Sequence, residues 1–318
     1  MKNYYSSGKL LLTGEYVVLD GALALAVPTA FGQSLTIEAL EEQKIIWKSI
    51  DQKGNIWFEA TFILENNIIS QHTTKDSAVS KRLIQILQAA KTLNTEFLKD
   101  KKGYQIATHL EFPKNWGLGT SSTLINNISN WANVDAYQLL EKTFGGSGYD
   151  IACAQNESTI TYQLHNTKET LDSIKNQKHS RIITPIIFNP LFKEHLYFVH
   201  LNQKQNSRDG IAHYKKNNSN LKEAISEINK ITQSIITCKT LKKFNALIDR
   251  HEQIISKIIR LKPVKEILFK DFNGSIKSLG AWGGDFVLVS SKTNPTDYFK
   301  NKGFDTILRF DEMVSNIY

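Results

Sequence analysis

Residues 104–132 read YQIATHLEFPKNWGLGTSSTLINNISNWA. The alternation over Tyr104–Leu110 predicts a strand, and the spacing of Leu124, Ile125, Ile128 and Trp131 predicts a helix from Thr120 to about Ala132. Between them stands Gly117-Leu118-Gly119-Thr120-Ser121-Ser122. Glycines let a backbone approach an anion closely. The helix that follows offers unpaired amides and the positive end of its dipole, which together make a phosphate site. The hydroxyls of Thr120, Ser121 and Ser122 can reach phosphate oxygens or a metal ion. The same string also reads as a tight strand-to-helix connection with a Ser/Thr cap. Its neighbours in sequence decide between the two.

Upstream, residues 9–13 and 16–19 are short apolar runs around Gly14-Glu15, and Asp20-Gly21 is a turn signal. Residues 23–27, 34–40 and 45–64 continue as β-type segments, the last around a turn at Lys53-Gly54-Asn55. The period then changes: Val79, Leu83, Ile86, Leu87 and Ala90 mark an amphipathic helix. Downstream, Asp135 is the expected N-cap of a helix running to Phe144 and ended by Gly145-Gly146. An element over Ile151–Gln155 and a strand over Thr159–Leu164 follow. The polar, Lys/Asn-rich run 165–180 is the expected boundary, dividing residues 1–178 from 179–318. Beyond it come strands near 182–188 and 195–201, helices at 220–236 and 240–259, and a strand–glycine loop–strand over 273–291. A last helix and the strand Asp305–Phe310 close the chain. Strands mixed with helices, without regular βαβ alternation, predict an α+β fold.

A length of 318 residues fits two domains or one large one, and 41% apolar residues are too many for disorder. The net charge of +8 is spread along the chain with no like-charged block, so anionic small molecules are expected as partners and nucleic acid is not. Two cysteines, Cys153 and Cys238, cannot build a disulfide framework, which points to a reducing compartment. The most apolar stretch, Tyr16–Phe31, is broken by Asp20, Gly21 and Pro28, and the N-terminus lacks a long apolar segment. The expectation is a cytoplasmic chain with no membrane partner.

Three further clusters bear chemistry. Gly145-Gly146-Ser147-Gly148-Tyr149-Asp150 places a carboxylate at a loop-to-element junction, as a general base or as a cap for the element starting at Ile151. Gly280-Ala281-Trp282-Gly283-Gly284-Asp285 precedes the strand Phe286–Ser290 and holds more glycine than a hairpin needs. Ser7-Gly8-Lys9 puts a cation near the first strand, as a point charge for phosphoryl transfer or as an ordinary exposed lysine. No P-loop, protein-kinase catalytic loop, Asp-Phe-Gly, His-Glu-x-x-His, dinucleotide-binding glycine fingerprint or nucleophile elbow occurs.

Taken in order, Ser7–Tyr16, Gly117–Ser122, Ser147–Asp150 and Gly280–Asp285 resemble the motifs of the GHMP kinase superfamily, the small-molecule kinases that include galactokinase and mevalonate kinase. The four matches span residues 7 to 285. Gly14-Glu15-Tyr16, Gly283-Gly284-Asp285 and Ser147-Gly148-Tyr149-Asp150 resemble the phosphomevalonate kinases more than the mevalonate kinases.

The resemblance implies a two-domain architecture, with an N-terminal ribosomal-S5-like α/β domain for ATP and a C-terminal ferredoxin-like domain. It implies ATP-dependent phosphorylation of a small acceptor of the mevalonate pathway, phosphomevalonate before mevalonate. A sugar kinase, the pathway's diphosphomevalonate decarboxylase and a non-catalytic ATP-binding regulator stand as alternatives. ATP phosphates would lie on Gly117, Leu118, Gly119, Thr120, Ser121 and Ser122, with Mg²⁺ held by Ser121 and Glu141. Asp150 would take or orient the acceptor's proton, and Lys9 would neutralise charge on the transferred group. Glu15, Tyr16, Ser147, Gly148, Gly283, Gly284 and Asp285 would serve the acceptor. Lys204, Ser207 and Arg208, within Asn202–Asp209, would grip an acceptor phosphate or simply form a solvated loop. Trp282 would narrow the site or stack on a ligand. Monomer and homodimer both remain open.

Overall fold

The computed structural model describes residues 1–65, 68–73, 77–100, 102–166, 179–205, 207–217 and 221–315. The chain opens with β1 (Lys2–Thr13), a 3-10 turn (Val17–Asp20), β2 (Ala24–Leu40), β3 (Lys44–Ile50), β4 (Ile56–Glu65) and β5 (Ile68–Thr73). Next come α1 (Ala78–Leu93), β6 (Gly103–Leu110), α2 (Thr120–Ala132), α3 (Ala136–Thr143) and α4 (Tyr149–Gln155). β7 (Ile160–Asn166), β8 (His179–Pro185) and β9 (Leu196–His200) lead to α5 (Ser207–Asn217), α6 (Lys222–Ile236), α7 (Leu241–Ile259) and α8 (Val264–Leu268). The chain finishes with β10 (Ser275–Ser278), β11 (Phe286–Ser290), α9 (Thr296–Asn301), β12 (Ile307–Arg309) and α10 (Phe310–Met313).

Two compact units form, interleaved in sequence. The first holds residues 1–8, 31–114 and 118–155; the second holds 9–30, 115–117 and 156–318. The expected boundary at 178/179 adjoins residues 167–178, which lie outside the described residues.

In the first unit the strands run β5-β4-β3-β6-β2, antiparallel except for the parallel pair β3–β6. Burial alternates strictly along β3, as a sheet with one covered face requires. Leu35, Ile37, Ile45, Trp47, Phe62 and Ile106 form that covered face. They share one core with Leu83, Ile86 and Leu87 of α1, Ile125 and Ile128 of α2, and Leu139 and Leu140 of α3. Asp135 caps α3, its side chain accepting from the Gln138 amide, as expected.

In the second unit, Ala24–Ala26 of β2 pair with β7, and β7 pairs with β8. A separate antiparallel sheet has the order β10-β11-β9-β12. With α5–α8 between β9 and β10 and α9 between β11 and β12, this is the ferredoxin-like arrangement. Tyr197, Val199, Val287 and Val289 pack there with Phe269, Phe272 and Phe299. The paired helices α6 and α7 bury Ile228, Ile231, Ile235, Phe244, Ile248 and Ile255. The α+β class is that of the whole chain.

Four local expectations change. Residues 17–20 form a 3-10 turn rather than a strand, because Gly14 (φ 89°), Tyr16 (φ 63°) and Gly21 (φ 88°) take left-handed backbone that no strand accommodates. Residues 24–40 are one strand of 17 residues rather than two segments. The element at Ile151 begins at Tyr149, so Asp150 lies in the first turn of α4 and does not precede it as a cap. The segment after β9 gives way at Ser207 to an 11-residue helix, α5. Among the described residues no helix is long and apolar enough to cross a membrane, and Cys153 and Cys238 are buried and not disulfide-bonded.

Candidate active site

The turn that precedes α2 carries glycine at 117 (φ 69°) and 119 (φ 95°), both in left-handed backbone. Gly119 is the N-cap of α2 and, being glycine, supplies no side-chain cap to the first-turn amides. Ser77, Asp135 and Thr240, by contrast, cap α1, α3 and α7 with their side chains. The leading amides of a helix have no partner within it, and at 120–122 they coincide with the positive end of the dipole of 13 aligned peptides. Of the three hydroxyls expected there, Ser122's is turned inward, buried and donating to Gly119 O at 2.8 Å. Ser121 is exposed and Thr120 half-buried.

A buried polar network holds α2 in place. Thr123 Oγ1 donates to Gln33 Oε1 at 2.7 Å and Asn127 Nδ2 to Gln33 O at 2.9 Å. Ser6 Oγ bridges two asparagines, donating to Asn127 Oδ1 at 2.7 Å and accepting from Asn126 Nδ2 at 2.9 Å. Each bond lies in the dry interior of the first unit, where its loss would orphan a polar group. α2 also packs on α3, which carries the exposed Glu141, and on α4, which carries the half-buried Asp150. Ser147 and Gly148, just before α4, are buried. No group of three or more His, Cys, Asp or Glu side chains fit to hold a metal occurs among the described residues.

Residues 115–117 belong to the second unit because its side chains clamp them. His200, buried, bonds Asn115 O through Nε2 at 3.1 Å. Trp116 meets Phe286 edge-on at 5.3 Å. Gly117 O accepts from Lys9 Nζ at 3.0 Å. On its other side Gly117 touches Asp285: a Cβ at 117 would stand 2.3 Å from the Asp285 carboxyl carbon, so only glycine fits.

Asp285 is 9% exposed. Its amide donates to Gln203 O at 2.8 Å, its carbonyl accepts from Leu201 N at 2.8 Å, and its Oδ1 accepts from Gln205 N at 3.3 Å. Burial pushes its carboxyl up, while the charge of Lys9, the Gln205 bond, Lys204 and His200 pull it back. Gly284 lets Gln205 approach, since a Cβ there would lie 2.4 Å from Gln205 Cγ. Gln203 Nε2 also donates to Gly283 O. Lys9, Gly117, Gly283, Gly284 and Asp285, from distant sequence, are therefore assembled in one place. Lys204 is exposed; of Ser207 and Arg208 only their place at the start of α5 is described. Trp282, expected to narrow the site or stack on a ligand, is 3% exposed, and its Nε1 has no hydrogen-bond partner among the described residues.

Glu15 and Tyr16 have other neighbours. Tyr16 stacks on Tyr214 at 5.6 Å. Glu15, fully buried, pairs with Lys277 of β10, and its Oε2 lies 3.4 Å from His251 Nε2. That nitrogen accepts the Gly14 N–H at 3.0 Å, and burial followed by the charge of Lys277 holds the imidazole well below its usual range. Glu252 Oε1 lies 3.8 Å from Lys277 Nζ. Sequence reasoning missed His251, Glu252 and Lys277. A signal existed: His251 and Glu252 fall at the helical spacing of Ile248, Ile255 and Ile259, the buried stripe of α7.

No protein-family model and no curated protein matches the chain. Solved structures do. A mevalonate kinase superposes with a TM-score of 0.68 at 18% identity, covering 99% of this chain and 100% of its own. The Streptococcus pneumoniae phosphomevalonate kinase, in complex with phosphomevalonate and AMPPNP, gives 0.67 at 18% identity, covering 98% and 100%. The Lactococcus lactis galactokinase, with galactose, gives 0.65 at 13%, covering 99% and 95%. Over its whole length, this chain has the fold of the GHMP kinases.

Proposed function

We propose that the chain is an ATP-dependent small-molecule kinase whose acceptor is phosphomevalonate. The observation that carries the reading is the glycine-capped N-terminus of α2, which has no side-chain cap from its N-cap residue and is entered through Gly117 with the Lys9 ammonium at its carbonyl. A triphosphate supplies the negative charge that this turn lacks. Glycine at 117 and 119 permits the close approach, and the amides at 120–122 replace water around the phosphate oxygens.

Lys9 neutralises charge as the γ-phosphoryl group moves, and Asp150 takes or orients the acceptor's proton. A phosphate-monoester acceptor is already largely ionised at neutral pH, so Asp150 then works chiefly by positioning and Lys9 by charge. Ser121 and Glu141 offer a hydroxyl and a carboxylate on exposed positions. These are hard oxygen donors of the kind Mg²⁺ takes beside phosphates, and they would hold it. The ion would shield the phosphate charge. Lys204, Ser207 and Arg208 are proposed to grip the acceptor's phosphate.

The support for phosphomevalonate over mevalonate or a sugar is the motif pattern Gly14-Glu15-Tyr16 with Gly283-Gly284-Asp285. Lys9→Met and Asp150→Asn test the assignment. Each should fold as the parent does and lower kcat by about 10² or more, the loss expected for a positioned charge or acid–base group. Unchanged kcat in both variants overturns the site.

A further inference from the structure

Asp285 touches both Gly117 and Gln205, yet no step of the proposed transfer uses it. Its carboxylate packs against the Cα of Gly117, whose carbonyl accepts from Lys9. Its backbone and side chain together make three hydrogen bonds to residues 201–205. It is nine-tenths buried, so solvent screens its charge weakly.

We propose that Asp285 is a positioning residue: it steadies the Lys9 ammonium across Gly117 and fastens residues 201–205 to the start of the phosphate turn. The groups whose charge pulls on it are Lys9 first, then Lys204 and His200, and Lys9 donates to Gly117 O itself. Without a carboxylate at 285, Lys9 keeps its bond to Gly117 O but loses a nearby anion that favours its charged form. Residues 201–205 meanwhile lose an acceptor for the Gln205 amide. The effect on turnover builds on the kinase reading above; the effect on Lys9 does not.

Asp285→Asn separates charge from hydrogen bonding, since the amide oxygen can still accept from Gln205. Limited acylation with acetic anhydride, read by peptide mass spectrometry against the exposed Lys53 as internal reference, reports Lys9. The expected result is Lys9 labelling about three- to tenfold faster in Asp285→Asn, up to the equivalent of about one pKa unit. Labelling should stay within about twofold of the parent in Asp285→Glu. Asp285→Ser serves as a second neutral variant should the asparagine fail to fold.

In kinetics, Asp285→Asn should lower kcat about tenfold with the KM for ATP nearly unchanged. In the double variant with Lys9→Met it should add nothing further, the mark of a residue acting through another. Unmoved Lys9 labelling, or a loss that adds fully to that of Lys9→Met, overturns the proposal. Should labelling respond while the parent turns over no acceptor, the kinase reading fails and the positioning role stands.

Discussion

Lys277 reaches Glu15 in an interior where neither side chain touches solvent. Removing one partner of a buried pair strands the other charge, at a cost of about 3–5 kcal/mol. Lys277→Met should therefore destabilise the protein by about that much in chemical denaturation; a loss near that of a surface substitution would show that the pair is not ionised. Glu252, beside it, is raised to about 8, chiefly by burial, with Lys277 pulling the other way. The folded protein then keeps this proton where the unfolded chain has released it. The resulting stability is full below the usual carboxylate pKa and is lost as pH rises towards 8. Glu252→Gln stays neutral throughout, so its melting temperature relative to the parent should climb from pH 5 to pH 8. A constant difference would refute the shift. These residues were illegible as a cluster: Glu15, the adjacent pair His251-Glu252, and Lys277 come from three separate stretches of sequence, and only folding gives them a shared dry space.

At the scale of elements, α2 shows what periodicity conveys and what it omits. Leu124, Ile125, Ile128 and Trp131 marked the helix correctly from Thr120 to Ala132. Its orientation depends instead on Ser6, Gln33, Asn126 and Asn127, polar residues that a hydrophobic pattern counts as surface. Asn127→Leu removes the donor to Gln33 O and the acceptor for Ser6 Oγ. It should cost about 1–3 kcal/mol for each orphaned group, and raise the KM for ATP as the N-terminus of α2 drifts. Full stability with an unchanged KM would mean that the network does not set the turn. The 3-10 turn at 17–20 was missed for a related reason. Val17, Val18 and Leu19 look like strand residues, and the left-handed backbone at Tyr16 leaves no compositional trace.

For the whole molecule, the architecture was legible because the glycine clusters, in their order along the chain, resemble the motifs of the GHMP kinases. The interleaving of the two units did not show. Residues 9–30 and 115–117 join the second unit through contacts such as Lys9 with Gly117 and His200 with Asn115, and such pairings have no local signature. Shared fold leaves the acceptor to be read from side chains, because structures that fit this chain almost equally well include kinases named for mevalonate, phosphomevalonate and galactose. The most direct measurement is ADP release from ATP with mevalonate, phosphomevalonate, diphosphomevalonate and galactose offered in turn, with evolved CO₂ followed alongside. The account predicts turnover with phosphomevalonate and no CO₂. ADP formed with none of the four, or only with mevalonate, would contradict it.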